Sequence, residues 1–164
     1  MGVVHRDVKP ENLFLVHAPD GTEPLKIVDF GFSFLPEDRA GEAHIGVVGT
    51  PEYMAPEQAR GAAPGPAADI YALGVVLYEL LAGAVPFTGA YPAIARLHAV
   101  ASVPPIPPER APRELASLVI KALAKRPEDR FGSMADLRDA LFEAVPGAVP
   151  KGRDARFASK PPGA

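Results

Sequence analysis

The sequence predicts a mainly α-helical fold of the α+β class with one small β-hairpin. The first observation is a nearly all-apolar segment at residues 67–82, which is the pattern of a helix buried at the centre of a domain. The second is a pair of apolar stripes with helical spacing after residue 112. The third is two short apolar runs joined by a polar turn. The 164 residues are enough to bury a single core of this kind.

The hairpin comes first along the chain. Residues 13–16 and 25–28 are the apolar runs, and Asp20-Gly21 between them is a turn signal. Such a hairpin projects Asp29 from the end of its second strand. Residues 32–54 follow without periodicity, so we expect an ordered but irregular loop there.

Helices dominate the remainder. After the central helix, residues 92–100 are expected to form a short helix, and the proline-rich residues 103–112 an extended connector. The next helix is predicted from one apolar stripe: Leu115, Leu118, Val119, Ala122 and Leu123.

The last helix is predicted to begin at Ser133, because Ser133 and Asp136 resemble a capping box. Its stripe consists of Met134, Leu137, Leu141 and Val145. From residue 146 onwards proline, glycine and basic residues replace the periodic pattern, and residues 146–164 are expected to be disordered.

Composition excludes several classes of function. The net charge of −3 gives no reason to expect nucleic acid as a partner. The absence of cysteine excludes disulfides and thiolate metal sites, and the four histidines show no ligand spacing. Charges interrupt residues 1–15, so no signal peptide is predicted. The longest apolar stretch, 70–85, contains Glu79 and is too short to span a bilayer, so we expect no membrane segment and a cytoplasmic location.

Three short motifs follow one another along the chain: His5-Arg6-Asp7-Val8-Lys9-Pro10-Glu11-Asn12, Asp29-Phe30-Gly31 and Ala55-Pro56-Glu57. In this order and at these spacings they resemble the catalytic loop, the metal-binding motif and the end of the activation segment of a protein kinase. The run Pro-Glu-Gln-Ala-Arg-Gly at 56–61 is similar to eukaryotic-type serine/threonine kinases of bacteria. The resemblance implies the large lobe of a protein-kinase-like fold.

The resemblance also implies catalytic roles. Asp7 corresponds to the aspartate that accepts or orients the proton of the substrate hydroxyl, and Lys9 to the lysine directed at the transferred phosphate. Asn12 and Asp29 match the ligands of Mg²⁺, which takes oxygen donors. Thr50 matches the threonine that bonds this aspartate and lysine. ATP and Mg²⁺ are the implied cofactors, and serine or threonine of a protein is the implied acceptor.

Other matching residues are expected to be structural. His5 should pack and hydrogen-bond beneath the catalytic loop, Phe30 should pack rather than catalyse, and Asp69 should anchor the backbone of the loop. Glu57 should pair with Arg130, 73 positions away.

An apolar column under the adenine of ATP is implied by the same resemblance. Phe14, Val76 and Leu80 occupy the positions of this column, and plain core packing is equally consistent with these three residues.

The mode of activation stays open at this point. Arg6 before Asp7 marks kinases that are controlled by a phosphate in the activation loop. Between Gly31 and Gly49 the only hydroxyl residue is Ser33, which comes too early. A constant negative charge or a solvated acidic face could be formed instead by Glu37, Asp38 and Glu42.

A complete kinase carries a small lobe before the catalytic loop, with a glycine-rich loop, a phosphate-binding lysine and a glutamate. No Gly-x-Gly-x-x-Gly occurs in the chain, and Lys26 stands on the strand before Asp29, where it cannot replace that lysine. We therefore expect a partial kinase domain at 1–145 with the small lobe missing. Since loss of one preorganised group costs on the order of 10²–10³ in rate, the isolated chain is expected to be nearly inactive.

Three explanations fit this expectation. The chain is a fragment of a longer kinase, a working half completed by a separate small-lobe polypeptide, or a non-catalytic module that binds or regulates through its kinase-like lobe. Small-molecule phosphotransferases share the Asp-and-Asn loop, but they generally lack the segment at 49–57 and the Glu57–Arg130 partnership.

Overall fold

The computed structural model describes residues 3–30 and 50–145. Within these ranges the chain forms five α-helices, one two-stranded sheet and three single-turn 3₁₀ helices. The helices are α1 (Pro56–Ala59), α2 (Pro66–Ala82), α3 (Ala93–Val100), α4 (Arg113–Ala122) and α5 (Met134–Ala144). The strands are β1 (Leu13–Leu15) and β2 (Leu25–Ile27), and the 3₁₀ turns are Pro10–Asn12, Pro51–Tyr53 and Pro127–Asp129. No helix in the described ranges is long and apolar enough to cross a bilayer.

The predicted hairpin is confirmed. β1 pairs antiparallel with β2, and Leu13 lies opposite Ile27 in the register. The turn is closed by Asp20, whose carboxylate accepts hydrogen bonds from both the backbone N–H and the hydroxyl of Thr22. Gly21 adopts φ +79°, a conformation that favours glycine. The open end of the hairpin therefore carries Asn12 on one side and Asp29 on the other.

Helix α2 is the centre of the molecule, as the apolar pattern predicts. Proline at the first helical position begins it, and Gly83 ends it in the left-handed conformation while donating its N–H to the Glu79 carbonyl. Both hydrophobic clusters of the described residues draw on α2. Its buried side chains are Ala68, Ile70, Tyr71, Ala72, Val75, Val76 and Tyr78. Leu80 departs from the all-round pattern, with 74% of its surface exposed.

Helix α4 approaches α2 closely at Gly74. A Cβ at this position would lie 3.0 Å from Cβ of Ala122 and 3.2 Å from Cδ2 of Leu123. The predicted stripe of α4 packs there through its buried members Val119, Ala122 and Leu123. The absence of a side chain at residue 74 thus sets the distance between the two helices.

Helix α5 begins as predicted, because the Ser133 hydroxyl accepts a hydrogen bond from the Asp136 N–H. Leu137 is buried against Ile70 and Phe131. Met134, which we expected in the buried stripe, is 40% exposed. It lies at the first helical position, and the apolar contact begins one turn later.

Two short elements were not predicted. The turn Pro51–Tyr53 and helix α1 lie where the sequence indicates only an irregular loop or a motif. Each begins with proline, which presets φ for a first helical turn. At three and four residues, these turns are too short for apolar periodicity to reveal.

Arg130 is the most highly connected polar side chain in the described structure. Its Nη1 and Nη2 donate to the two carboxylate oxygens of Glu57 at 2.8 and 2.7 Å, as the sequence predicts. The remaining donors reach the backbone carbonyls of Ala67, Ala124 and Lys125. All five N–H donors of the guanidinium are therefore used. Glu57 and Arg130 are both buried.

A second buried polar cluster centres on His98, which has no exposed surface. Its Nδ1 lies 2.9 Å from the Tyr71 hydroxyl, and its ring meets Phe87 edge-on at 5.0 Å. Lys125 donates to the His98 carbonyl and lies above the Phe87 ring. Burial, and then the charge of Lys125, lower the pKa of His98 to about 4.

Substitution of Arg130 by methionine should lower the free energy of unfolding by about 3–5 kcal/mol, because Glu57 is left buried without its partner. Urea denaturation measures the change. Arg126→Met is the control, since Arg126 forms an exposed ion pair with Glu128 and its loss should leave stability unchanged. Equal effects of the two substitutions would contradict this account of the Glu57–Arg130 pair.

Stability should fall as the pH decreases from about 6.5 to about 4, because His98 binds a proton in the unfolded chain before it does so in the folded one. The contribution of His98 is about 3 kcal/mol, present in full above pH 6.5. Denaturation curves over this range should show a smaller pH dependence in His98→Gln. His17→Gln, which changes an exposed ring of the hairpin loop, should behave as wild type. An unchanged slope in His98→Gln would refute the assignment.

Candidate active site

The backbone of residues 5–7 is held by the first turn of α2. The carboxylate of Asp69 accepts the N–H groups of His5 at 2.7 Å and of Arg6 at 2.8 Å. Arg6 has φ +70°, a left-handed conformation that costs a non-glycine residue about 1–2 kcal/mol. The two charge-assisted hydrogen bonds offset that cost. The predicted anchoring role of Asp69 is confirmed.

Asp7, Lys9 and Thr50 come together although 41 positions separate the last two. The Lys9 ammonium lies 2.8 Å from Oδ2 of Asp7 and donates to the Thr50 hydroxyl at 2.9 Å. Asp7 is buried, whereas Lys9 and Thr50 are half-buried. A carboxylate, an ammonium and a hydroxyl thus meet at the edge of the segment 5–12, which resembles a catalytic loop and is given that name below.

Asn12 completes this group from the turn Pro10–Asn12. Its side-chain nitrogen donates to the Asp7 carbonyl at 2.8 Å and to Oδ2 of Asp7 at 3.2 Å. These contacts fix the orientation of the amide and turn its oxygen away from Asp7. The Asn12 carbonyl accepts the Val28 N–H at 3.0 Å, which places the next residue, Asp29, at the same end of the hairpin.

Asn12 and Asp29 offer one amide oxygen and one carboxylate. This donor set fits Mg²⁺, which usually takes one or two protein carboxylates together with phosphate and water oxygens. The part of the chain that the structure describes contains no group of three or more histidine, aspartate or glutamate side chains that could hold a metal ion. A metal at the hairpin end would therefore depend on ligands such as phosphates.

His5 is buried beneath the site, as expected, and its ring contacts that of Phe30, which is itself 53% exposed. The ring centroids lie 4.6 Å apart in an edge-on arrangement. His5 Nδ1 accepts the Asp7 N–H at 3.3 Å, so the proton belongs on Nε2, which donates to the Val28 carbonyl at 3.0 Å. The imidazole thus joins the catalytic loop to the segment that carries Asp29.

Two side chains, those of Tyr53 and Gln58, make contacts that sequence reasoning missed. The Tyr53 hydroxyl donates to Glu79 at 2.7 Å, and burial followed by this contact raises the pKa of Tyr53. Gln58 accepts from the Ala55 N–H at 3.0 Å and donates to the Arg6 carbonyl at 3.3 Å. Its place three residues after Ala55, at the start of a helix, is where a capping side chain is favoured, and this signal could have identified it.

The apolar residues expected under the adenine separate into two groups. Val76 is buried in the core, whereas Phe14 and Leu80 are exposed. Leu15, Leu25, Ile27 and Phe30 are also exposed, so the hairpin carries an open apolar surface. A nucleotide role for Phe14 stays a prediction.

Residues weighed for activation, Ser33, Glu37, Asp38 and Glu42, lie outside the described residues, as do Gly31, Gly49 and the tail at 146–164. Predictions that concern them stay predictions.

Comparisons with known proteins agree with the geometry. A family model for the protein kinase domain matches residues 1–142. The serine/threonine-protein kinase Pkn1 of Myxococcus xanthus is 46% identical over 149 residues, which are 88% of this chain and 21% of that protein. PkaB of Streptomyces coelicolor is 43% identical (88% of this chain, 35% of the relative), and PknB of Mycobacterium tuberculosis is 39% identical (92% and 24%). The chain thus spans about a fifth to a third of the length of these relatives.

Asp69→Asn should loosen the catalytic loop, because one of the two acceptors is replaced by an amide donor that faces an N–H group. We expect amide hydrogen exchange at His5 and Arg6 to accelerate, with a loss of about 1–3 kcal/mol in local stability. Asp139→Asn, on the exposed face of α5, is the control and should leave these amides unchanged. Unchanged exchange in Asp69→Asn would show that Asp69 does not hold the loop.

Proposed function

The chain belongs to the protein kinase family, and on that premise we propose that it transfers the γ-phosphoryl group of ATP to serine or threonine of a protein. The observation that carries the proposal is the convergence of Asp7, Lys9, Asn12 and Thr50. Phosphoryl transfer needs a group that orients the hydroxyl and a cation beside the transferred phosphate. These side chains supply both within hydrogen-bonding distance of one another.

Asp7 is assigned to the acceptor hydroxyl. Lys9 and Asn12 both engage Oδ2, so we assign Oδ1 to the proton of the substrate hydroxyl. In the step, the hydroxyl oxygen forms a bond to the γ-phosphorus, the bond from that phosphorus to the bridging oxygen of ADP breaks, and the proton passes to Asp7. The Lys9 ammonium faces the charge that develops on the transferred group.

The link between Lys9 and Thr50 supports serine or threonine as the acceptor. It ties the catalytic loop to the segment that begins at Thr50, which resembles the stretch that receives the substrate in this family. We infer that an ordered Thr50 holds Lys9 toward Asp7, so that the acceptor hydroxyl and the transferred phosphate meet at one place.

Asn12 and Asp29 would hold Mg²⁺ with the phosphates of ATP. When bound, the metal supplies positive charge that offsets the charge of the phosphates. The half-buried position of Lys9 and the buried amide of Asn12 keep these groups in one geometry before a nucleotide arrives.

Nucleotide binding also requires a glycine-rich loop and a second lysine, which residues 1–164 do not contain. We propose that polypeptide beyond these residues, in the same protein or in a separate small-lobe partner, provides them. The open apolar surface of the hairpin, with Phe14 and Leu15 more than half exposed, supports a covering element. A cytoplasmic location stays a prediction.

The metal assignment is tested by Asp29→Asn. Removal of the carboxylate charge should abolish the Mg²⁺ dependence of ATP binding, measured by calorimetry on the chain mixed with a small lobe from a kinase of the family. Asp139→Asn makes the same chemical change away from the site and should bind as wild type. Unchanged Mg²⁺ dependence in Asp29→Asn would contradict the assignment.

The catalytic assignment is tested by Asp7→Asn. Loss of the base should reduce phosphotransfer to a protein substrate by about 10²–10⁴-fold while ATP binding persists. A wild-type chain that binds ATP and a protein without transfer would instead favour the non-catalytic binding module.

A further inference from the structure

Gln58 is the third residue of α1, and its side chain reaches back to the catalytic loop. We propose that Gln58 is a positioning residue that holds the Arg6 carbonyl and thereby orients the neighbouring Asp7. The effect on catalysis rests on the proposed kinase function, whereas the hydrogen bond between Gln58 and Arg6 can be tested without activity.

The peptide between Arg6 and Asp7 is under unusual constraint. Arg6 has a left-handed backbone, with φ +70°, which its side chain disfavours. The Arg6 N–H is taken by Asp69 at 2.8 Å, and the Arg6 carbonyl by Gln58 at 3.3 Å. Asp69 acts on the preceding peptide, whereas Gln58 acts on the peptide that leads directly into Asp7. Rotation of that peptide would redirect the Asp7 carboxylate.

Glutamine suits this position because both ends of its amide are engaged. Its oxygen accepts the Ala55 N–H at 3.0 Å, which obliges the nitrogen to face Arg6. Glutamate could replace the acceptor but could not donate to a carbonyl. Methionine matches the length of the side chain and supplies neither hydrogen bond. Gln58→Glu therefore removes only the hydrogen bond to Arg6, whereas Gln58→Met removes both this bond and the helix cap at Ala55.

The contact also couples two parts of the site. The segment 50–58 meets the catalytic loop once through Thr50 and Lys9 and again through Gln58 and Arg6. Helix α1, which carries Gln58, is held in place by the ion pair between its Glu57 and Arg130. A displacement of the substrate-binding segment would therefore be transmitted to Asp7 by two hydrogen bonds. This makes the geometry of Asp7 depend on the order of that segment.

The first test uses amide hydrogen exchange and ¹H–¹⁵N spectra of the nucleotide-free chain. In both Gln58→Glu and Gln58→Met, we expect the Asp7 amide resonance to shift and its exchange to accelerate at least about tenfold. Ser133→Ala is the matched control, because it removes the hydrogen-bonding cap of α5 far from the site. It should leave the Asp7 amide unchanged. If the chemical shift and the exchange rate of the Asp7 amide in Gln58→Glu equalled those of the wild type, Gln58 would be only a helix cap and the proposal would be overturned.

The second test measures phosphotransfer with the same variants and the small lobe used above. Misplacement of Asp7 should lower kcat by about tenfold to a hundredfold with the KM for ATP unchanged. Ser133→Ala should retain the wild-type kcat. A normal kcat in both Gln58 variants would overturn the positioning role. Failure of the wild type to transfer phosphate would count against the proposed function, while the exchange data would still decide the contact.

Discussion

A guanidinium buried among apolar side chains is tolerated only when its donors are paired, and Arg130 meets that condition through three other segments. Its partners are the carboxylate of Glu57 in α1, a carbonyl in the first turn of α2 and two carbonyls that follow α4. Movement of α1 would leave the buried charge without its carboxylate, and movement of either other segment would leave a buried N–H donor unsatisfied. The guanidinium also lies over the Tyr71 ring, with Cζ 5.0 Å from the ring centroid, in a cation–π arrangement. The short helix α1 thus gains a fixed position that its four residues could not secure alone.

The geometry of the candidate site depends on the position of helix α2, which Arg130 helps to fix. Helix α2 presents Asp69 at its first turn, and Asp69 holds a backbone conformation at Arg6 that would otherwise relax. Asp29 is likewise left-handed, with φ +61°, at the hairpin end opposite Asn12. Unfavourable backbone conformations at Arg6 and Asp29 persist because the surrounding fold holds them.

The hairpin contrasts with the helical core. A two-stranded sheet is marginal by itself, and this one depends on its connections to Asn12 and His5 at one end. Four of its apolar side chains are exposed, those of Phe14, Leu15, Leu25 and Ile27, whereas most apolar side chains of α2 are buried or partly buried. Residues 1–142 match the protein kinase domain. In the proposed complex a nucleotide and the loop that covers it would lie against this exposed surface.

Local pattern was sufficient to predict the hairpin, the central helix, the cap at Ser133 and the family, because periodicity, turn residues and motifs are written in consecutive positions. The pairing of Glu57 with Arg130 also followed, but only from the resemblance to a family. Sequence could not show that Met134 and Leu80 are exposed, or that Gln58 reaches the Arg6 carbonyl. Those outcomes depend on how elements pack together in three dimensions. Gln58 and Arg6, for example, are 52 positions apart, and the local sequence pattern does not indicate which distant residues come into contact. The residue types were determined by the sequence, whereas tertiary packing decided which of their polar atoms meet.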